Sequence, residues 1–146
     1  MQSVLTDFER TVKDSYDRLL RLTEAESATT PVPGKWSKKE LLGHLIDSAA
    51  NNHHRFVRAQ FTESLLISRY DQEAWVKHQD CSGESWTQLL ALWQSYNLHL
   101  LHIASRIREE RLEHRCQLED GESVSLRFLV EDYIAHLKHH LRQILA

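Results

Sequence analysis

The sequence predicts an all-α fold, a four-helix bundle, and three observations carry that expectation. Only 4 Gly and 2 Pro punctuate 146 residues, too few turn formers for an all-β chain. Four long stretches repeat apolar residues with the 3.6-residue period of a helix. Two of those stretches open on capping-box patterns, Ser37-Lys-Lys-Glu40 and Ser85-Trp-Thr-Gln88.

The first helix is expected over residues 3–23, where Leu5, Phe8, Val12, Tyr16, Leu19 and Leu20 form one stripe. Ala25 to Lys35 contains Pro31 and Pro33, which bias their neighbours away from helix, and reads as a connector. In the second helix, Ser37 and Glu40 each satisfy an orphan amide of the first turn, with Trp36 and Leu41 at the hydrophobic-staple positions. That helix should reach about Phe61, with Leu41, Leu42, Leu45, Ala49, Asn52 and Phe56 on its core face. Beside this face runs a polar stripe, His44, Ser48, Asn51 and Arg55. Such a stripe is either a solvated shoulder or the wall of a polar pocket.

Residues 62–83 form a connection long enough to be a lid or a crossover, with one short helix expected over Asp71–Val76. Trp75 within it reads as packing or as the roof of a cavity. The third helix should run from Ser85 to about Glu110, with Asn97 as a polar interruption of its apolar face. Residues 111–124 centre on Glu119-Asp-Gly121-Glu and read as a turn or short hairpin. The fourth helix starts near Ser125. Its apolar face is Leu126, Val130, Tyr133, Leu137, Leu141 and Ile144.

The remaining composition excludes several classes. The chain carries a formal charge of -3 and a pI near 6.4, which points to neither a nucleic-acid nor an anionic-membrane surface. Cys81 and Cys116 form no Cys-x-x-Cys arrangement, no apolar run approaches a bilayer span, and the N-terminus does not read as a signal peptide. A single cytoplasmic domain over residues 1–146, acting on a small molecule, is the expectation.

The chemistry concentrates in the fourth helix. His136 and His140 stand one turn apart, near enough to share an ion. Ten histidines in this length would give about 0.7 His-x-x-x-His pairs by chance, so position matters more than spacing. His140 falls inside the apolar arc and His136 at its edge, while His139 is turned away by about 100°. Buried imidazoles need a partner for each nitrogen. They are either core histidines bonded to neighbouring side chains or metal ligands.

Levels along the bundle bear on that choice. His44 lies roughly 10 Å from the start of its helix, and His136 and His140 roughly 9 to 15 Å from the end of theirs. In an up-down-up-down bundle these levels sit at opposite ends. In an up-down-down-up bundle, with the second and third helices parallel, they coincide. That topology needs a long crossover between the second and third helices, which residues 62–83 supply. The two features agree on a three-histidine site of His44, His136 and His140.

Trp36-Ser-x-x-Glu40-x-x-x-His44-Leu45 and His136-x-x-x-His140-x-x-Gln143 resemble the DinB/YfiT-like superfamily. The resemblance implies a bundle with a crossover between helices two and three, and a divalent metal, zinc or nickel, on His44, His136 and His140. It also implies either a metal-dependent hydrolase or an S-transferase or isomerase that uses bacillithiol, mycothiol or glutathione.

Three imidazoles leave an open coordination position for water, thiol or a substrate oxygen. Asp132, one turn before His136, and Asp47, on the helix bearing His44, are candidate acceptors for the second ring nitrogens. Gln143 is placed to orient a ligand, and Ser48, Asn51 and Arg55 to line a pocket. No Glu-x-x-His, His-Glu-x-x-His or Gly-x-Ser-x-Gly motif occurs, which argues against di-iron, zincin and serine-hydrolase chemistry. No catalytic residue is assigned. The competing expectation is a non-catalytic bundle with a structural metal or none, acting through homodimerisation.

Overall fold

A computed structural model describes residues 1–146. Four long helices make the bundle: α1 (Gln2–Leu19), α3 (Lys38–Arg58), α5 (Trp86–Arg106) and α7 (Leu126–Leu145). Three short ones, α2 (Glu24–Ser27), α4 (Gln72–Gln79) and α6 (Glu109–Leu112), lie between them. Strands β1 (Leu65–Ile67), β2 (Arg115–Leu118) and β3 (Ser123–Ser125) form one small sheet. No helix is long and apolar enough to cross a membrane.

The contacts fix the direction of each helix. Lys39, at the start of α3, donates to the Glu84 carbonyl just before α5 at 2.7 Å, while His53 further on meets the Tyr96 hydroxyl at 3.1 Å. The two helices therefore run parallel. His44 faces His140 and Phe56 faces Tyr133, so α7 runs against α3. Asp7 pairs with Lys138, and Arg18 reaches the Leu145 carbonyl at 3.5 Å, so α1 and α7 run together. The bundle is up-down-down-up, as the levels of the histidines require.

The crossover is anchored where it arrives. Cys81 packs against Gly43 so closely that a Cβ on that glycine would lie 2.4 Å from the sulfur. Only glycine admits the approach. The buried Lys39 ammonium also pairs with Glu24 and draws in the Ser82 carbonyl, joining α2, α3 and the end of the crossover.

Burial follows the predicted stripes. Leu5, Phe8, Val12 and Leu19 meet Leu42, Leu45, Ala49 and Phe56, with Leu90, Trp93 and Leu100 from α5 and Val130, Tyr133 and Leu137 from α7. Asn97 is fully buried and satisfied: it donates to the Trp93 carbonyl at 2.8 Å and accepts from the Tyr133 hydroxyl at 2.6 Å. The bond spans the diagonal between α5 and α7.

The capping box at Ser37 forms in full, with the Glu40 amide donating to the hydroxyl at 3.2 Å and the Ser37 amide to the carboxylate at 2.7 Å. Ser85 accepts from the Gln88 amide at 3.4 Å without the reciprocal bond from its own amide to the Gln88 side chain, and its hydroxyl also meets that of Thr87 at 2.9 Å. Several boundaries differ from expectation. Helix α1 stops at Leu19, leaving Leu20 48 % exposed, and a second capping box at Thr23 and Glu26 starts α2 inside the expected connector. Helix α3 ends at Arg58 and leaves Phe61 outside it. Ile107 turns extended and divides α5 from α6. Residues 111–124 contain the hairpin, turning at Gly121 with φ +90°. Its strand β2 also pairs in parallel with β1, Leu65 opposite Cys116, which no local pattern announced.

Candidate metal centre

Helix α3 carries His44, buried at 1 % exposure, and α7 carries His136 and His140 on adjacent turns. The His44 and His136 Nε2 atoms are 3.1 Å apart, and one ring nitrogen from each of the three lies within 4.8 Å of the others. Their rings meet edge-on, with centroids 4.6 to 5.0 Å apart. Tetrahedral coordination at about 2.1 Å sets ligand nitrogens about 3.4 Å apart, so the cluster fits one ion with modest ring adjustment. No Cys, Asp or Glu joins the three.

The electrostatics favour ligation. Burial pushes the His44 imidazole down to about 3, and the neighbouring His136 and His140 add to the effect. Burial likewise takes His136 to about 4, and it lowers His140. All three are neutral at pH 7, the form that offers a lone pair.

The outer partners differ from those expected. His140 Nδ1 donates to the Gln143 Oε1 at 2.7 Å, so Gln143 touches a ring of the trio rather than standing free to meet a ligand. His136 Nδ1 lies 3.5 Å from the Ser48 hydroxyl across the helix interface. His44 Nδ1 is buried without a partner, and its ring lies against Trp36, centroids 5.0 Å apart and tilted by 37°. Neither carboxylate serves as acceptor. Asp132 is exposed, where water solvates it at no packing cost. Asp47 is buried but turned to α4, accepting from the Gln79 amide at 2.8 Å and leaving its second oxygen unpartnered. Burial raises its carboxyl above the ordinary range.

Two cavities flank the histidines. One of about 570 Å³ is bordered by Pro31, Trp36, Leu41, Glu73, His140 and Gln143. The other, about 290 Å³, contains Ser48, Arg55, Tyr70, Asp132 and His136 in its wall. Ser48 and Arg55 from the polar stripe thus border a pocket. Asn51 lines neither of these two; its amide donates to the Asp47 carbonyl of its own helix at 2.9 Å. Trp36, Glu73 and Tyr70 were not legible as pocket residues. Trp36 already accounted for a staple, and the other two sit in a connection without periodicity.

The remaining histidines lie outside the trio. His139 is exposed, His53 packs on Tyr96 and His99, and His114 bonds the Ala59 carbonyl at 2.7 Å. Both cysteines are buried and their thiols raised by burial, Cys81 to about 11, so neither is a ready nucleophile.

A sequence model of the DinB superfamily matches residues 7–144. The chain belongs to the DinB superfamily. A candidate metal-dependent hydrolase of Oceanobacillus iheyensis is 27 % identical to this DinB-superfamily chain over 123 residues, covering 84 % of this chain and 70 % of that one. The Bacillus subtilis YfiT protein, named in the same way, is 24 % identical over 124 residues with the same two coverages. The solved structure of YfiT superposes with a TM-score of 0.83 at 21 % identity, covering 96 % of this chain and 83 % of YfiT. It is described as having an unusual four-helix bundle topology. A mycothiol-dependent maleylpyruvate isomerase superposes at 0.81 with 16 % identity. This chain is covered to 99 % and spans 60 % of that longer protein. The superpositions establish a shared fold.

Proposed function

We propose that this DinB-superfamily protein is a metal-dependent enzyme in which His44, His136 and His140 hold one divalent ion, zinc or nickel, and that its reaction is a hydrolysis. One observation carries the reading: three neutral imidazoles converge, with no fourth protein ligand, between two cavities. A structural site would close its shell with a fourth side chain, whereas an open position is the mark of a catalytic one. The names of the sequence relatives agree with metal-dependent hydrolysis. When bound, the ion supplies a Lewis acid and an activated water or thiolate. Gln143 holds the His140 tautomer that leaves Nε2 free, Ser48 does the same more weakly for His136, and the Trp36 ring shields His44 from water.

Metal content of His44→Ala, His136→Ala and His140→Ala tests the centre. Each should lose most of its bound metal while keeping its helicity, because the core packs without the ion. Full occupancy in His44→Ala would remove α3 from the site and overturn the reading.

Thiol-dependent transfer is the second reading, favoured by the paired cavities and by the inert cysteines. Two cavities, one bordered by His140 and the other by His136, suit two reactants, and the chain's two cysteines are buried. Assaying metal-loaded protein against ester substrates, with and without glutathione or bacillithiol, separates the two. A strict thiol requirement would select transfer. Turnover with water alone selects hydrolysis. Metal-loaded protein inert in both would favour the non-catalytic bundle, and sedimentation would then test for the homodimer.

A further inference from the structure

We propose that the cavity on the His136 side is a carboxylate subsite, and that Arg55 selects the ligand that enters it. The inference rests on the reading of the trio as the reaction centre. Arg55 reaches the cavity from α3, two turns beyond Ser48, and is half-buried. Of its five N–H donors, one Nη2 bond to the Ser68 carbonyl at 3.2 Å is made, and no carboxylate lies within 4.0 Å. A guanidinium that has given up water with no carboxylate in contact is stabilised by an incoming anion. Burial disfavours its charged form, and the field of Asp132 partly restores it.

The other wall residues set the charge that fits. Arg69 lies at the exposed rim and is paired with Asp120 at 3.5 Å, so it adds little free charge. Asp132 contributes a negative charge to the same wall. With Asp132 opposing it in the same wall, the one free half-buried cation can hold at most a single negative charge and disfavours a phosphate dianion. Burial raises the Tyr70 phenol to about 12, which keeps its hydroxyl a neutral donor at pH 7. A planar carboxylate matches the guanidinium fork, with Tyr70 and Gln72 as neutral groups beside it. The volume, about 290 Å³, lies at the lower limit of ligand sites and suits a short acid. Because His136 borders the same space, an acid anchored at Arg55 presents its other end to the histidines.

Calorimetric titration of succinate into metal-free and metal-loaded protein, with phosphate and succinamide as controls, tests the subsite. Wild type should bind succinate in preference to either control. Arg55→Gln should weaken that binding about tenfold or more, the loss of a charge-assisted contact. Asp132→Asn should strengthen it about threefold by removing the opposing charge. A purely structural Arg55, tying down Ser68, would lower thermal stability in Arg55→Gln without opposite-signed effects on succinate. That result, equal binding in the two variants, or tighter binding of phosphate overturns the proposal. Metal uptake without Arg55-dependent succinate binding sinks this inference alone. Arg55-dependent binding to protein that takes up no metal sinks the metal reading and leaves the subsite standing.

Discussion

His140 donates its Nδ1 proton to the Gln143 side chain, 2.7 Å away and three residues on along the same helix. Both side chains border the larger cavity, and the bond commits one ring nitrogen so that the other faces His44 and His136. Outer acceptors of this kind are worth about 10- to 100-fold in metal affinity. Gln143→Leu should weaken metal affinity by about that factor with little change in helicity, and Gln143→Glu, which keeps an acceptor oxygen, should recover most of it. Competition against a chromogenic chelator reads both. Unchanged affinity in Gln143→Leu would show that the ring is held by packing alone.

His139 is the residue most easily mistaken for a ligand. It neighbours His140 in sequence, and its ring centroid lies 4.9 Å from that of His140, yet it is exposed and makes only a 3.4 Å contact with the Gln143 amide. His139→Ala should keep near-full metal stoichiometry under conditions where His140→Ala loses it. Loss of stoichiometric metal from His139→Ala would mean that α7 presents a different face to the ion.

The buried histidines also set a pH dependence for metal-free protein. In the unfolded chain His44 takes a proton near its ordinary value of 6.5, whereas burial in the fold holds it down to about 3. Above pH 6.5 both states are neutral and the group has no effect. As pH falls between these values the unfolded state binds the proton and the folded state does not, so stability is lost. At pH 5 the cost from His44 is about 2 kcal/mol. Urea unfolding of metal-free wild type and His44→Leu at pH 7.5 and 5 should show the smaller loss in the variant. Equal losses would place the acid sensitivity elsewhere.

The bundle topology and the trio were legible together because helical periodicity, residue rise and connection length constrain one another. Only parallel α3 and α5 bring His44 to the level of His136 and His140, and only a long crossover permits it. The capping rule that found Ser37 also describes Thr23 and Glu26, so α2 was legible but hidden in a segment read through its prolines. The pairing of β1 with β2 was not legible. Strands of three and four residues separated by about fifty carry no periodic signal, and their register depends on where the bundle ends lie. The outer partners failed for a different reason. Charge and sequence spacing favoured Asp132 and Asp47, but solvation kept the first at the surface, and Gln79 of α4 claimed the second.

Gly43 provides the test of how the crossover closes onto the site helix. Glycine inside α3 sacrifices about 1 kcal/mol of helix propensity relative to alanine. Its position is explained by Cys81, whose sulfur would lie 2.4 Å from an added Cβ and whose own Cβ would lie at 3.2 Å. Cys81 is buried at the end of the crossover, next to segments held by Lys39, so it cannot swing aside into solvent. Overpacking of this kind costs about 1–3 kcal/mol. Gly43→Ala should therefore be destabilised despite the better helix former, by up to about 2 kcal/mol net. Because residue 43 precedes His44, metal affinity should fall with it. Cys81→Ala removes the sulfur, so Gly43→Ala/Cys81→Ala should regain stability relative to Gly43→Ala, giving a coupling of about 1 kcal/mol or more in a double-mutant cycle. Urea denaturation of the four proteins measures it. Additive effects, or a Gly43→Ala protein more stable than wild type, would mean that the crossover does not press on α3 at this point.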